Sequence, residues 1–222
     1  SGLPYAVKNV LDNPKLAGVH GVIANLVETD KEYSVAISTA LGAASNYVVV
    51  DDEFTAKEAI RYLKINKFGR ATFFPLNIIK GREIDNVTYQ ILRGESDFVG
   101  IASDLVRYES TYDNIIKNQL GTTIIATDID SANAIARKIN YKYRIVTLDG
   151  ELLHVGGSLT GGTIKNSSSL ITQKHELEDN EKRLKNLQSE RANIEMSINE
   201  EDDKYKSILE EKNKLVEERT NL

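Results

Sequence analysis

The sequence predicts a mixed α/β (α+β) body of two related subdomains, followed by a long coiled-coil helix. Short β-branched runs alternate with amphipathic helical patterns over roughly the first 150 residues, as in mixed α/β proteins. A similar order of helices and strands occurs twice in that region. From Leu170 onward, apolar residues recur at seven-residue spacing to the end of the chain, which indicates a coiled coil.

Helical spacing and β-branched runs define the elements of the first half. In order, we predict a helix at Tyr5–Leu11, a strand at Val19–Val27, a helix at Tyr33–Ala44, a strand at Tyr47–Val50, a helix at Phe54–Ile65 and a strand at Arg70–Leu76. In the third helix, the side chains predicted to point inward are Ala56, Ala59, Ile60 and Leu63. Residues 77–97 are polar and predict a long irregular excursion.

The second half repeats this order, with strands at Phe98–Ile101, Thr122–Thr127 and Tyr143–Leu148 and helices at Tyr112–Leu120 and Ser131–Ile139. The motif Ile37-x-x-x-Leu41-Gly42 matches Ile116-x-x-x-Leu120-Gly121, and an aspartate follows the next strand in both halves. The offset between the halves is about 75–79 residues, which is too long for a solenoid repeat and favours two subdomains. We predict the first subdomain at 1–105, the second at 106–166 and a coiled-coil arm at 167–222.

The C-terminal helix has a continuous heptad seam. With position a at Leu170, ten of the sixteen a and d positions up to Leu222 are apolar. At 1.5 Å per residue such a helix is roughly 80 Å long, and a seam of that length requires a partner helix. Six core positions are polar, which lowers the stability of the coil, and Asn180, Arg191, Glu201 and Lys212 are among them.

Charge and composition exclude several classes of protein. The chain has a formal net charge of −5, to which residues 166–222 contribute −4 from 10 basic and 14 acidic groups, so the body has no overall basic field. The chain has no cysteine, which excludes disulfides and thiolate metal sites. It has no apolar run long enough for a membrane span and no signal peptide, and we expect a fragment of a longer protein.

A glycine-rich segment joins the body to the coil. Asp149-Gly150 predicts a two-residue hairpin turn, and the strand after it leads into Gly156, Gly157, Gly161 and Gly162 near a sheet edge. We interpret these glycines as sites of close backbone approach, between subdomains or between chains. The alternative, a phosphate-binding loop of a nucleotide enzyme, lacks the lysine and the serine or threonine that such a loop needs.

Candidate chemical sites are few. His20, His154 and His175 lack metal-ligand spacing, and we expect no metal and no cofactor. Acidic pairs follow strands in both halves, where catalytic carboxylates often occur, but their repetition favours helix starts; they are Asp51 with Asp52 and Asp128 with Asp130. Basic residues are candidates for contact with DNA phosphates, although such clusters are often only a solvated face; they are Arg61, Lys64, Arg137, Lys138, Lys165 and Lys174.

The segment Gly156-Gly-Ser-Leu-Thr-Gly-Gly162, placed after Val146-Thr-Leu-Asp-Gly150 and before a coiled coil, resembles the hinge of structural maintenance of chromosomes (SMC) proteins, most of all the bacterial condensin type. The start of the body, with Tyr5-Ala-Val-Lys-Asn-Val-Leu11, fits the same family. The resemblance covers residues 4 to about 175. It implies a non-enzymatic hinge, in which Gly156, Gly157, Gly161 and Gly162 lie at or near the contact of a homodimer.

The resemblance also implies partners and a location. The arm after the hinge is expected to pair with an incoming arm of the same full-length chain, and the ATPase heads and the sites for accessory subunits lie elsewhere in that chain. The expected location is the bacterial cytoplasm, at the nucleoid, with no membrane contact. Family contacts with DNA occur near the hinge–coil junction, where Lys165 is followed by Asn166-Ser-Ser-Ser169 rather than by more lysine, so we expect weak binding. A stand-alone nucleic-acid-binding module is the alternative function.

Overall fold

The computed structural model describes residues 2–162 and 169–221, and the chain forms two compact units, Ser1–Lys174 and His175–Leu222. The helices are α1 (Tyr5–Leu11), α2 (Ile23–Leu26), α3 (Ser34–Leu41), α4 (Glu53–Asn66), α5 (Asn86–Arg93), α6 (Asp113–Leu120), α7 (Ile129–Lys138) and α8 (Leu170–Thr220). The strands are β1 (Val19–Val22), β2 (Glu28–Thr29), β3 (Val48–Val50), β4 (Phe73–Pro75), β5 (Phe98–Ile101), β6 (Val106–Arg107), β7 (Ile124–Ala126), β8 (Ile145–Thr147), β9 (Leu152–Leu153) and β10 (Leu159–Thr160). Single 3₁₀ turns lie at Lys31–Tyr33, Gly42–Asn46, Ala102–Leu105 and Ser110–Tyr112.

Two sheets repeat one arrangement, and the predicted duplication is a structural one. The first sheet has the order β1-β3-β4 and the second the order β5-β7-β8-β9-β10. The equivalent strands are β3 and β7: β3 pairs antiparallel with β1 and parallel with β4, and β7 pairs antiparallel with β5 and parallel with β8. The antiparallel ladder is irregular at matching places, between Val19 and Gly21 and between Phe98 and Gly100. A third, two-stranded sheet pairs β2 with β6 and so joins the halves.

The apolar core has three parts, which follow the duplication. One buried cluster belongs to the first half and includes Val48 and Leu63, and a second belongs to the second half and includes Ile124 and Ile135. The third cluster lies between the halves, where α3 and α6 contribute buried side chains such as Ile37. Each fully buried aliphatic side chain stabilises the fold by about 1.5–3 kcal/mol, so the shared cluster makes the two halves one unit.

Aspartate side chains start the matching helices. Asp52 accepts a hydrogen bond from the Thr55 N–H at 2.8 Å, and Asp128 accepts one from the Ser131 N–H at 2.8 Å. These bonds hold the pKa of both carboxyl groups below the ordinary value. The helix-start interpretation is confirmed for Asp52 and Asp128, because each of these carboxylates accepts from a free N–H of the first helical turn. Asp51 instead lies against His20.

Two parts of the predicted secondary structure are wrong. The strand predicted at Val19–Val27 ends at Val22, and α2 follows, because Val22, Ile23 and Ala24 are all buried and a strand would turn alternate side chains outward. The excursion predicted at residues 77–97 contains α5. Its apolar residues do not form one buried stripe, since Val87 and Tyr89 are exposed and Leu92 is its one fully buried aliphatic residue.

The burial of Ile60 also differs from the prediction. Ala56, Ala59 and Leu63 of α4 are buried as predicted, but Ile60 is 51% exposed. The apolar stripe of α4 is therefore narrower than the sequence indicates, and a large aliphatic side chain lies outside it. The remaining predicted helices and strands are present, with bounds that differ by a few residues at their ends.

The long helix α8 has different surroundings in the two units. In the first unit, Ile171 is buried in the core, and the Ser169 hydroxyl accepts a hydrogen bond from the Thr172 N–H at 3.1 Å, as at a helix N-cap. In the second unit, the apolar a and d side chains from Leu177 to Leu215 are 52–65% exposed. Exposure of a continuous heptad seam indicates a surface that a partner helix covers.

Candidate dimerisation site

The predicted turn at Asp149-Gly150 is part of a hairpin between β8 and β9. The Thr147 N–H donates to the Glu151 carbonyl at 2.9 Å, and the Gly150 N–H donates back to the Thr147 carbonyl at 3.0 Å. The loop therefore has three residues, 148–150, rather than the predicted two. Gly150 closes it with a φ of +88°, a conformation that glycine adopts without steric cost.

The glycine-rich segment forms a second hairpin, between β9 and β10. The His154 N–H donates to the Ser158 carbonyl at 2.8 Å and the Gly157 N–H donates to the His154 carbonyl at 2.9 Å. Gly156 and Gly157 turn the chain with φ values of +84° and +104°. The hairpin places β10 as the outermost strand of the five-stranded sheet, with no further strand beside it among the described residues.

Tyr141 supports this hairpin from within the body. A Cβ added to Gly157 would lie 3.3 Å from Cδ1 of Tyr141, and the Gly156 N–H donates to the Tyr141 carbonyl at 3.1 Å. Tyr141 itself has a φ of +53°, which is strained for a bulky residue. At Gly157, close backbone approach is therefore a contact within the chain.

The other three glycines of the motif have different surroundings. A Cβ at Gly161 would meet Cγ of Glu151 at 3.2 Å. Gly156 and Gly162 have open space where a Cβ would be, but positive φ values of +84° and +123°. At these two positions the backbone conformation, not crowding by the same chain, calls for glycine, and a second molecule has room to approach.

The edge of β10 exposes both backbone and apolar groups. Because Ser158 bonds to His154, the alternation of an antiparallel ladder turns the N–H and C=O of the next residue, Leu159, away from β9. The side chains of Leu159 and Val155 are 54% and 63% exposed. An open edge with free backbone groups and apolar side chains is a place for another strand to pair.

The glycine segment does not have the form of a phosphate-binding loop. Such a loop connects a strand to a helix N-terminus, whose N–H groups face the phosphate. Here Gly156 and Gly157 connect two antiparallel strands, and one of their N–H groups is bonded within the hairpin while the other donates to Tyr141. The nucleotide-enzyme interpretation therefore has no support in this geometry.

Several of the predicted DNA-contacting residues already have acidic neighbours. Arg61 on α4 pairs with Glu58 one turn before it, and Lys138 on α7 pairs with Glu95 at 2.6 Å. Exposed pairs of this kind contribute at most about 1 kcal/mol, so they open easily, but they lower the local positive charge. The pairs on α4 and α7 belong to different halves of the body.

The remaining predicted basic residues differ from one another. Lys174 lies 3.5 Å from the Glu28 carboxylate, whereas Lys64 and Arg137 are exposed on their helices. Lys165 lies outside the described residues. Arg61 and Lys64 therefore lie on α4 of the first half, and Arg137 and Lys138 on α7 of the second.

Two further basic residues have structural roles. Lys142 Nζ lies 2.7 Å from Asp85, which holds the pKa of that carboxyl well below its ordinary value together with hydrogen bonds from Thr88 and Tyr143. Arg144 is largely buried, and burial lowers the pKa of its guanidinium. No local signal in the sequence distinguishes these two residues from the exposed basic residues near them, Arg137 and Lys138.

Arg144 ties the two halves together. Its guanidinium donates to the Ala40 carbonyl at 2.8 Å, the Gln119 carbonyl at 3.0 Å and the Thr123 hydroxyl at 2.6 Å. Ala40 and Gln119 lie in the last turns of α3 and α6, where helix carbonyls lack partners and the helix dipole attracts a cation. The Arg144 side chain therefore donates hydrogen bonds to a C-terminal carbonyl of one helix in each half.

The histidines have separate polar partners. His20 lies between Asp51, at 2.5 Å from Nε2, and the Tyr112 hydroxyl, at 3.0 Å from Nδ1. His154 Nε2 lies 3.0 Å from the Thr160 hydroxyl, which links β9 to β10. Among residues 2–162 and 169–221, no group of three or more potential ligands could hold a metal ion. The same residues include no helix with the length and hydropathy of a membrane span.

Comparison with known proteins identifies the family. Residues 16–136, more than half of the chain, match the family described as SMC proteins Flexible Hinge Domain. The chain belongs to the SMC hinge family. Membership confirms the resemblance drawn from the glycine motif and the duplicated body, and the mixed α/β architecture is that of solved SMC hinges.

Individual relatives agree with this assignment. The crystal structure of an asymmetric dimer of the Geobacillus stearothermophilus SMC hinge domain has a TM-score of 0.76 at 41% identity, over 88% of this chain and 79% of that one. The Pyrococcus furiosus Smc hinge domain with an extended coiled coil has a TM-score of 0.61 at 32% identity, over 84% and 63%. Chromosome partition protein Smc of Bacillus subtilis (strain 168) is 42% identical over 200 residues, which are 89% of this chain but only 17% of that protein.

Proposed function

We propose that this SMC hinge is the dimerisation element of a chromosome partition protein, where it joins two coiled-coil arms. The open edge of β10, with its outward Leu159 backbone groups and adaptable glycines, is the observation that carries the proposal. The dimeric structure of the Geobacillus stearothermophilus relative, at 41% identity, supports it. In this proposal Gly156, Gly157, Gly161 and Gly162 lie at or beside the contact.

The duplication supplies a partner strand for β10. β4 occupies in the first half the place that β8 has in the second, but β4 is the outermost strand of its sheet, whereas β8 continues into β9 and β10. The Leu76 N–H donates to the Val50 carbonyl, and the Thr72 carbonyl accepts from the Val48 N–H. Because backbone groups alternate in direction along a strand, the N–H and C=O of Phe73 point away from β3. We infer that Leu159 of one copy bonds to Phe73 of the other, which gives two equal contacts in a closed two-fold dimer.

A pair of variants at Leu159 tests this arrangement. Leu159→Pro removes the outward N–H but leaves the inward bonds of Ser158, so it should give a monomer by light scattering. Leu159→Val, the matched control, keeps the donor and should remain a dimer. Circular dichroism and the thermal midpoint verify that both variants are folded. A dimeric, folded Leu159→Pro variant would refute the β10 contact.

Cysteine cross-linking locates the partner strand. The chain has no cysteine, so Leu159→Cys and Phe73→Cys can be combined without background. Directly opposed strand residues have Cα atoms about 5.5 Å apart, which suits a disulfide. The double variant should oxidise to a covalent dimer, whereas a control that replaces Phe73→Cys by Arg93→Cys on α5 should not.

The glycines make a separate prediction. Gly162→Glu puts a side chain on a backbone of positive φ that faces open space, so it should weaken the dimer while the body stays folded. Gly157→Glu should also weaken the dimer, but indirectly: the new side chain collides with Tyr141 and so distorts the β9–β10 hairpin. Gly94→Glu, at an exposed glycine with an ordinary φ, is the control. Unchanged dimer affinity for Gly162→Glu would remove Gly162 from the contact.

We further propose that the seam of α8 pairs with the incoming arm of the full-length chain. The exposed side chains from Leu177 to Leu215 and the extended coiled coil of the Pyrococcus furiosus relative support this. A synthetic peptide of the incoming arm should bind the 222-residue chain, and Ile194→Glu in the seam should abolish binding, with the non-seam change Asn193→Glu as control. Equal binding by both variants would contradict the pairing.

The wider role follows from the relatives and is also a proposal. The full-length protein would be an ATPase of the bacterial nucleoid, with heads and accessory-subunit sites outside these residues, whose hinge closes a ring or rod that holds DNA. Direct DNA contact by the hinge would be weak and independent of sequence, because three of the predicted residues, Arg61, Lys138 and Lys174, have acidic partners. Of the other predicted residues that the structure describes, Lys64 and Arg137 are exposed. Affinity for a duplex that does not fall as salt is raised would contradict such contact.

A further inference from the structure

One exposed helix face on the body combines large apolar side chains with basic ones. It consists of residues on the outward side of α4, here called the α4 outer face: Phe54, Lys57, Ile60, Arg61, Lys64 and Ile65. Phe54, Ile60 and Ile65 are 67%, 51% and 80% exposed, although the opposite side of the helix is packed in the core. These three large apolar side chains therefore leave apolar area on one solvated helix that contact with another molecule would remove from water.

The internal duplication provides a control for what the fold itself requires. Asp52 and Asp128 start the equivalent helices α4 and α7, so each α4 residue has a counterpart 76 positions later. The counterpart of Phe54 is Asp130 and that of Lys57 is Asn133. The counterpart of Lys64 is Asn140, so the fold does not require an apolar group at Phe54 or basic groups at Lys57 and Lys64. By contrast, Arg61 corresponds to Arg137 and Ile65 to Tyr141.

The charges on the α4 outer face indicate what kind of partner fits it. Lys57, Arg61 and Lys64 form a row along the helix between Ile60 on one side and the pair Phe54 and Ile65 on the other. Two carboxylates of the same helix lie beside this row: Glu58 pairs with Arg61, and Glu53, which accepts a hydrogen bond from Asn77, lies one turn before Lys57. Lys64 has neither of them as a salt-bridge partner. The positive row attracts acidic groups, and the apolar side chains beside it contribute area that must be covered by apolar groups.

We propose that the α4 outer face binds an acidic amphipathic helix of another protein. Phe54 and Ile65 are eleven residues apart, or about 16 Å along the helix, which matches about three turns of a partner helix with apolar anchors at every third or fourth position. Acidic residues flanking those anchors would meet Lys57 and Lys64. Single-stranded nucleic acid fits less well, because base stacking needs aromatic platforms and Phe54 is the one aromatic residue of the face.

The test uses designed peptides and the 222-residue chain. The probe is a fluorescent helical peptide of about three turns with leucines at every third or fourth position and glutamates beside them. Three comparison probes are the same peptide with lysine for glutamate, the same peptide with serine for leucine, and a single-stranded DNA of mixed sequence. Fluorescence anisotropy reports binding, and light scattering reports whether each protein variant keeps the oligomeric state of the unmodified chain.

The expected result is binding of the acidic leucine peptide alone. Phe54→Ser or Ile65→Ser should weaken it by about tenfold or more, because each removes buried apolar area from the complex. Lys57→Glu with Lys64→Glu should abolish binding of the acidic peptide and allow binding of the lysine peptide. Arg137 on α7 does not have the apolar neighbours of the α4 outer face, so Arg137→Glu should leave the binding of both peptides unchanged.

Other outcomes overturn the proposal. Failure of the acidic peptide to bind, or binding that the α4 variants leave unchanged, removes the site. Stronger binding of single-stranded DNA that is lost in Phe54→Ser would assign the face to nucleic acid. Loss of the dimer in folded Phe54→Ser or Ile65→Ser would assign it to a second copy of the hinge, and that result is separate from the Leu159 variants that test the β10 contact.

Discussion

Arg144 offers the sharpest test of how the two halves are held together. Its guanidinium donates to carbonyls at the ends of α3 and α6 and to the Thr123 hydroxyl, at 2.6–3.0 Å. Arg144→Met keeps most of the side-chain length and removes all three donors. The Ala40 and Gln119 carbonyls then lose this partner in a partly buried site.

The cost follows from these contacts. Leaving a buried carbonyl without a partner costs about 1–3 kcal/mol, and two carbonyls are affected. Allowing for partial rehydration of the two helix ends, we expect a loss of about 3 kcal/mol, which is a large share of the 5–15 kcal/mol by which domains are usually stable. For a body of this size that loss lowers the thermal midpoint by roughly 6–12 °C.

Thermal unfolding followed by circular dichroism measures the effect. Arg82→Met is the matched control, because Arg82 is exposed and the side-chain hydrogen bond that the structure gives it, to Asn118, is long at 3.5 Å. The thermal midpoint of Arg144→Lys should lie between those of Arg144→Met and Arg82→Met. An ammonium keeps the charge but cannot reach three acceptors in the guanidinium geometry. If Arg144→Met and Arg82→Met unfold at the same temperature, the reasoning about the buried guanidinium is refuted.

Two further predictions concern stability. Gly121→Ala should destabilise the body by several kcal/mol in urea unfolding, because its Cβ would lie 1.9 Å from the Arg82 carbonyl oxygen, whereas Gly94→Ala should have little effect because the nearest atom lies at 3.4 Å; equal midpoints would contradict this. Asp85 has a folded-state pKa below the ordinary 3.8, so its stabilising effect is complete above that pH and is lost as pH falls toward the folded pKa. Asp85→Asn should therefore lower the thermal midpoint at pH 7 and by much less near pH 2, and a pH-independent difference would contradict the assignment.

Much of the body could be predicted because its signals are local and occur twice. Helical spacing in Ile37-x-x-x-Leu41 and Ile116-x-x-x-Leu120, and the aspartate after each following strand, are readable without tertiary information. The structure places these motifs in equivalent helices and caps. Repetition also strengthened the choice of a helix-start role over a catalytic role for the carboxylates.

The missed elements lack such signals. α5 buries little apolar surface, so its sequence pattern predicts a polar loop. The duplication nevertheless places a counterpart of α1 close to this region. Val22-Ile-Ala24 is apolar at every position, and a run of this kind fits a buried strand as well as a buried helical turn. Only the packing of α2 between the halves decides between them.

The candidate site was located by the sequence but not resolved into roles. The glycine motif indicated close approach or unusual backbone, and the structure assigns Gly157 to a contact with Tyr141 and Gly162 to open space. The role of Arg144 could not be predicted from the sequence, because its partners Ala40 and Gln119 lie 104 and 25 residues away in the chain. The subdomain bounds at 1–105 and 106–166 and the DNA contacts, including Lys165, stay predictions.

The mass of the body in solution tests the central claim most directly. The body should be cut after Lys174 rather than before α8, because Ile171 is part of its core. Light scattering at concentrations well above micromolar should give twice the mass of one chain for residues 1–174, which would place dimerisation in the hinge. A monomeric body beside an oligomeric 222-residue chain would show that the unpaired seam of α8 drives association, and the β10 contact would have to be abandoned.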